Sequence, residues 1–219
     1  LLRAEERAGY FRGAELIAEL YPSRVNDDVL RFLDLCEVSY LGVGLQSLDP
    51  KVLARVDRPF DPRRFDEVIH AVTSRASVEV QIILGLPGDS PEGFRRTIEH
   101  VSKFPCDIRV YRCLVLPDAL MTRSPPDFAL DYDPHTLRMR SCLGWTAGAL
   151  DSTCEWIDAI ARERGGARGE FWWHVPGLHR SSPGRPAGRH VDDAQKPLAE
   201  QPPEQAHRGI DPRRLRVVD

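Results

Sequence analysis

The chain has 219 residues, 42% of them hydrophobic and 29% charged, with a formal charge of -3. That length supports one globular domain with its own core, and the charge offers no global field to a nucleic acid or an anionic membrane. No apolar run approaches the roughly 20 residues that a bilayer span needs, and no signal peptide opens the chain. The reading is a soluble protein of cytoplasmic type with no nucleic-acid or membrane partner.

Residues 1–17 match no recognisable pattern and stay unassigned. The segment Leu16–Pro22 holds the end of one strand. Asn26–Leu35 reads as a helix, with Asn26 as cap, acids in the first turn, and Val29, Leu30 and Leu33 on one stripe. Val38–Leu45 is a short apolar run and reads as a strand. Asp61–Ser74 is a second helical pattern, with Phe65, Val68, Ile69 and Val72 inward. Val78–Leu84 is the next strand, and Ser90–Lys103 the next helix, opened by Ser-Pro-Glu. Ile108–Leu116 is a further strand. Asp133-Pro134-His135 is expected to cap a last helical stretch running through Trp145 and Leu150 toward Ile160. Near-continuous apolar strands alternating with helices predict a parallel sheet covered on both faces. The count is about four βα units, fewer than the eight of a closed barrel.

Composition changes near Arg164. From there Gly, Pro, Arg and Gln recur without period, and only Phe171, Trp172, Trp173 and Val175 form an apolar cluster. Residues 161–219 therefore read as a low-complexity, disordered tail, whose FWWHV patch either docks on the body or is exposed. Residues 18–160 are the folded body. The five cysteines, Cys36, Cys106, Cys113, Cys142 and Cys154, are widely spaced and odd in number. They read as buried free thiols rather than a disulfide framework. His70, His100 and His135 lack metal-ligand spacing, and Asp127, Asp131 and Asp133 lack the Gly and Glu of a calcium loop. Met139 and Trp145 read as core.

In parallel α/β proteins ligands bind beyond the carboxyl ends of the strands. Those ends are Gly44-Leu45-Gln46-Ser47, then Gly85-Leu86-Pro87-Gly88-Asp89-Ser90, then Leu116-Pro117. GLPGDS before a helix could hold an anion at the helix N-terminus. It could equally be a plain turn in which Asp89 or Ser90 caps the helix.

Taken in order, Glu19-Leu20-Tyr21-Pro22, Gly44-Leu45-Gln46-Ser47, Arg58, Ile82–Gly88 and Leu116-Pro117 resemble the radical S-adenosylmethionine (SAM) superfamily. The likeness is greatest to the group with cobalamin-binding members and the oxygen-independent coproporphyrinogen oxidases. It covers about residues 18 to 155. It implies the later parallel βα units of an incomplete TIM-like barrel. It further implies that Glu19, Gln46 and Arg58 hold SAM, with Ser47, Gln81, Ile83, Gly85 and Leu114 as further contacts. Such residue types suit the ligand: a carboxylate for its ammonium, a guanidinium for its carboxylate, an amide for its ribose. Family members often carry an acid where this chain has Gln81.

The same resemblance implies a [4Fe–4S] cluster that cleaves SAM to a 5′-deoxyadenosyl radical, and in some members cobalamin. Three thiolates of a CxxxCxxC loop bind that cluster. The sequence contains no such loop and no cobalamin-binding signature. Two readings follow. One is a fragment of a radical SAM enzyme, inactive as this chain alone. The other is a non-catalytic binding or interaction module. A partial barrel is also expected to self-associate through its exposed edge, and the substrate is not legible.

Overall fold

The computed structural model describes residues 1–58, 60–121, 123–166 and 171–175. Helix α1 (Leu2–Ala8) precedes strand β1 (Leu16–Leu20), followed by α2 (Asp27–Leu35), β2 (Val38–Gln46), α3 (Pro50–Arg55) and α4 (Arg63–Thr73). Next come β3 (Ser77–Leu84), α5 (Pro91–Val101), β4 (Asp107–Arg112), β5 (Asp131–Tyr132) and β6 (Met139–Ser141). Helix α6 (Ala147–Glu163) and strand β7 (Trp172–His174) complete the order.

Caps fix several of these boundaries. The Asn26 side chain accepts from Val29 N, Asp49 from Lys51 N and Val52 N, and Ser90 from Gly93 N. Each satisfies an N–H that has no acceptor inside its own helix.

The main sheet has the order β1-β2-β3-β4-β7, with β1 to β4 mutually parallel and β7 antiparallel to β4. Strand order follows chain order without reversal. Because parallel crossovers are right-handed, the connecting helices then fall on one side. This is an arc of a βα barrel, not a doubly wound sheet.

The core lies between that side of the sheet and the helices. Leu41, Val43 and Leu45 of β2, Val80, Ile82 and Leu84 of β3, and Ile108 and Val110 of β4 are buried against Val52, Leu53, Phe65, Ile69, Phe94 and Ile98. The alternate residues take the other face: Ile17, Glu19, Tyr40, Gly42, Gly44, Glu79, Gln81, Ile83, Arg109 and Tyr111. The parallel register makes this alternation a set of rows, one of which joins Glu19, Gly42, Glu79 and Asp107. Another row joins Gly44, Gln81 and Arg109, and a third joins Ile83 and Tyr111. The expectation of strands apolar on both faces is thus corrected. VEVQIIL reads as continuous only because Ile83 interrupts an otherwise polar face. A parallel sheet with one polar, uncovered face is uncommon, and it points to where a ligand belongs.

Two further expectations change. The stretch after Asp133 is not helical. Asp133 instead turns the β5–β6 hairpin, its carboxylate accepting from His135 N at 2.9 Å, Thr136 N at 3.0 Å and Arg140 Nη2 at 2.6 Å. These contacts hold its carboxyl well below the usual carboxylate range. Helix α6 starts only at Ala147, capped by Thr146. Gly144 just before it has φ 87°, and a Cβ there would run into the backbone of Asp89. Only glycine allows the hairpin to lie so close against the GLPGDS turn.

The second change concerns the boundary at 161. Helix α6 continues to Glu163, and β7 adds to the edge of β4 through Asp107↔His174, Ile108↔Trp173 and Arg109↔Trp172. Trp173 and Val175 are buried. Of its two alternatives, the FWWHV patch takes the docked one, because an apolar edge of β4 and an apolar segment each remove the other from water. The disorder expected for 167–170 and 176–219 concerns segments outside the described residues.

Candidate functional site

The open face is built around two glycines. Gly42 and Gly44 lie on β2 between Glu19 of β1 and Gln81 of β3. A Cβ at Gly42 would approach Gln81 Nε2 to 3.0 Å and Glu19 Cγ to 3.4 Å. A Cβ at Gly44 would lie 3.2 Å from Gln46 Nε2. Three polar side chains therefore converge over a floor that carries no side chain of its own.

Gln46 reaches this place by an unusual backbone. The register slips between Gly44 and Gln46, and Gln46 has φ 69°. Alternation from Gly42 and Gly44 already puts Gln46 on this face, and the bulge turns its amide back over Gly44. A left-handed residue other than glycine is strained and clusters at functional sites. The helix that follows draws its cap from Asp49, which leaves Gln46 free of that duty.

The remaining expected site residues divide. Ile83 is half-buried on the same face, one row beyond Gln81. Gly85, with φ 91°, ends β3, where a Cβ would press on Leu150 Cδ2 at 3.0 Å. Leu114 is exposed and bridges to Arg138. Arg58 is exposed, with its guanidinium over the Tyr21 ring at 5.4 Å, just beyond the end of β1, and its backbone N–H donating to Leu53 O. Ser47 is buried and works within the turns, its hydroxyl accepting from Asp49 N at 3.1 Å and bonding Asp89.

The GLPGDS segment is the plain turn rather than an anion cradle. Ser90 caps α5, and the buried Asp89 carboxylate accepts from Ser90 N at 2.8 Å. An anion would meet that carboxylate in the first turn. Burial pushes the Asp89 carboxyl up to about 6, with Asp49 adding to the rise. An acid whose folded pKa exceeds its unfolded value of about 3.9 stabilises the fold below that value and loses the contribution as pH rises through 6. The Asp89→Asn variant should therefore gain up to about 2 kcal/mol on the wild type between pH 4.5 and 7.5. Urea unfolding at both pH values measures this, and parallel shifts of the two proteins would refute it.

Sequence reading missed a second group of polar residues on the open face. Glu79, buried on β3, accepts from Arg109 Nε at 2.8 Å, from Gln81 Nε2 at 3.3 Å and from the Tyr40 hydroxyl. Burial and then the Glu79 contact raise the Tyr40 pKa, so its hydroxyl stays a neutral donor. Burial, Glu79 and to a smaller extent Glu19 raise that of Tyr111. The signal was in the alternation: Glu79-x-Gln81 and Arg109-x-Tyr111 recur with period two between apolar neighbours.

No family model matches the chain. In sequence, 95 residues are 32% identical to the ribosomal protein uS12 methylthiotransferase RimO of Oleidesulfovibrio alaskensis, covering 41% of this chain and 21% of that protein. The RimO of Dictyoglomus thermophilum is 27% identical over 92 residues, covering 40% and 21%. In structure, the chain is similar to coproporphyrinogen III oxidase HemN from Escherichia coli, a radical SAM enzyme. The TM-score is 0.52 at 24% identity, over 68% of this chain and 32% of that one. It is also similar to the radical SAM methyltransferase TsrM from Kitasatospora setae, solved with cobalamin and a [4Fe–4S] cluster. Here the TM-score is 0.53 at 13% identity, over 81% and 42%. Over part of its length the chain is similar in sequence to RimO, and in fold to radical SAM enzymes. It spans about a fifth of the length of the curated relatives it matches.

On this arc of a βα barrel the open face is the inner one, and its donor set suits SAM. A carboxylate, two amides and a glycine floor match an ammonium, a diol and a flat ring. The superfamily's iron–sulfur cluster finds no such match. Cys106, Cys113 and Cys142 are buried far apart in sequence, and burial pushes each thiol up to about 12, away from the thiolate a cluster requires. Among the described residues no three His, Cys, Asp or Glu side chains group as a metal site. No helix among them is long and apolar enough to cross a membrane.

Proposed function

We propose that this chain binds S-adenosylmethionine on the open face of its sheet, over Gly42 and Gly44, as the SAM-holding part of a radical SAM enzyme. The observation that supports it is the convergence of Glu19, Gln46 and Gln81 over two adjacent glycines, with Gln46 held in a strained bulge. Glu19 takes the ammonium of the methionine moiety. Gln46 and Gln81 take the ribose hydroxyls, and Ile83 gives the adenine an apolar neighbour. Arg58 closes on the carboxylate only by leaving the Tyr21 ring, a swing its exposed side chain can make. SAM supplies the radical chemistry of the superfamily when a cluster reduces it, and that step needs three thiolates these residues do not offer. The proposal is for SAM alone. Substrate and product are outside it.

Anaerobic titration calorimetry with SAM tests the proposal. Glu19→Gln and Gln46→Ala should each weaken binding about ten- to a hundred-fold, the range for a charge-assisted or buried hydrogen bond. Wild-type protein that melts cooperatively and takes up no SAM would refute it. The second reading, a non-catalytic module, shares this site. The wide separation of Cys106, Cys113 and Cys142 in sequence motivates it, and iron–sulfur reconstitution followed by a search for 5′-deoxyadenosine discriminates the two.

A further inference from the structure

One group on the open face is left over once SAM has its contacts. Arg109 uses a single donor within the protein, Nε to Glu79 Oε2 at 2.8 Å, and its side chain is 40% exposed. No hydrogen bond from its two terminal amino groups to another described residue exists. Glu79 is only 3% exposed and is itself pinned by Gln81 and Tyr40, so the guanidinium is anchored at one end and presented at the other. Tyr111 stands two residues further along β4 on the same face, about 7 Å on at strand rise. Electrostatic neighbours but no hydrogen-bond partner act on its hydroxyl.

We infer that Arg109 and Tyr111 form a carboxylate-binding subsite beside the SAM floor, and that the substrate of this face carries a carboxylate group. A guanidinium edge offers two parallel N–H donors matched to two carboxylate oxygens. The phenol adds a third donor from the next row. The charge balance selects the class of anion. Among the described residues of these strands Arg109 is the one arginine or lysine on the face, Glu79 already neutralises it, Asp107 is paired with His174, and Glu19 lies close enough to act on Tyr111. A singly charged carboxylate tolerates that balance, whereas a phosphate dianion would meet the carboxylates of Glu19 and Glu79 with no second arginine or lysine among the described residues of these strands. Row order agrees, since Arg109 shares its row with Gly44 and Gln81, which places the fork next to the cofactor floor.

This subsite rests on the SAM reading for its role as a substrate site, but its test does not. The side-chain Nε–H of Arg109, tied to a buried carboxylate, is a suitable signal in a nitrogen–proton correlation spectrum. Sodium propionate should move it saturably, with and without SAM present, while sodium chloride at equal ionic strength should not. Tyr111→Phe should weaken propionate binding about five-fold, and Arg109→Lys, which keeps a charge beside Glu79, about ten-fold. Calorimetric SAM affinity of both variants should stay within about two-fold of the wild type. A propionate response no larger than that to chloride overturns the subsite. Inorganic phosphate binding more tightly than propionate overturns the carboxylate class. Loss of SAM binding in the wild type alone would overturn the proposed function and leave this result standing.

Discussion

Trp173→Ala should lower the stability of the folded chain by about 3–5 kcal/mol, the range for emptying a buried aromatic site. Trp173 is fully buried, opposite Ile108 in the β4–β7 pair, and belongs to the main core. Its loss opens a cavity where the sheet edge would otherwise meet water. Thermal unfolding should then shift down by about 10 °C, given a few degrees per kcal/mol at this chain length. Trp173→Phe provides the control. The indole N–H of Trp173 is buried with no hydrogen-bond partner among the described residues, so a smaller ring gives up some packing but also a desolvated donor. It should cost about 1–2 kcal/mol, well below the alanine variant. An unchanged melting temperature for Trp173→Ala would mean that β7 does not dock in solution.

Gly42→Leu should abolish SAM binding, with at least about a hundred-fold loss of affinity, equivalent to roughly 3 kcal/mol. The added side chain would stand on the floor itself, between Glu19 and Gln81. The fold should survive, because the atom a new Cβ meets first is the end of the flexible Gln81 amide, at 3.0 Å. Replacing a strand-interior glycine also removes backbone freedom from the unfolded chain. Calorimetry and thermal melting on one preparation separate the two effects. A well-folded Gly42→Leu protein that bound SAM like the wild type would place the ligand elsewhere.

Both predictions concern positions whose meaning sequence reading caught only in part. The helix caps were readable, because Asn26 and Ser90 act within three residues of themselves and need nothing distant. The strands β2, β3 and β4 were readable for a similar reason: a run of apolar, β-branched residues between turn signals has few other fates. The sequence by itself thus determined four βα units and the residues that carry the superfamily's likeness, Glu19 and Gln46 among them.

Only the tertiary structure decided how those residues meet. Alternation puts Gln46 on the face of Gly44, but its amide turns back over that glycine where the β2–β3 register slips, and a register is a property of two strands together. Arg58 is held by the backbone of α3 and rests on the Tyr21 ring, contacts that spacing does not encode. The hairpin at 131–141 displaced an expected helix because Gly144 fits against the Asp89 backbone, a partner far away in sequence. Glu79, a lone acid in an apolar run, became the anchor of Arg109 once the parallel pairing of β3 and β4 set their side chains on one face. Local propensity fixes an element, but a site is made of contacts between elements, and their free energy appears only when the chain has closed on itself.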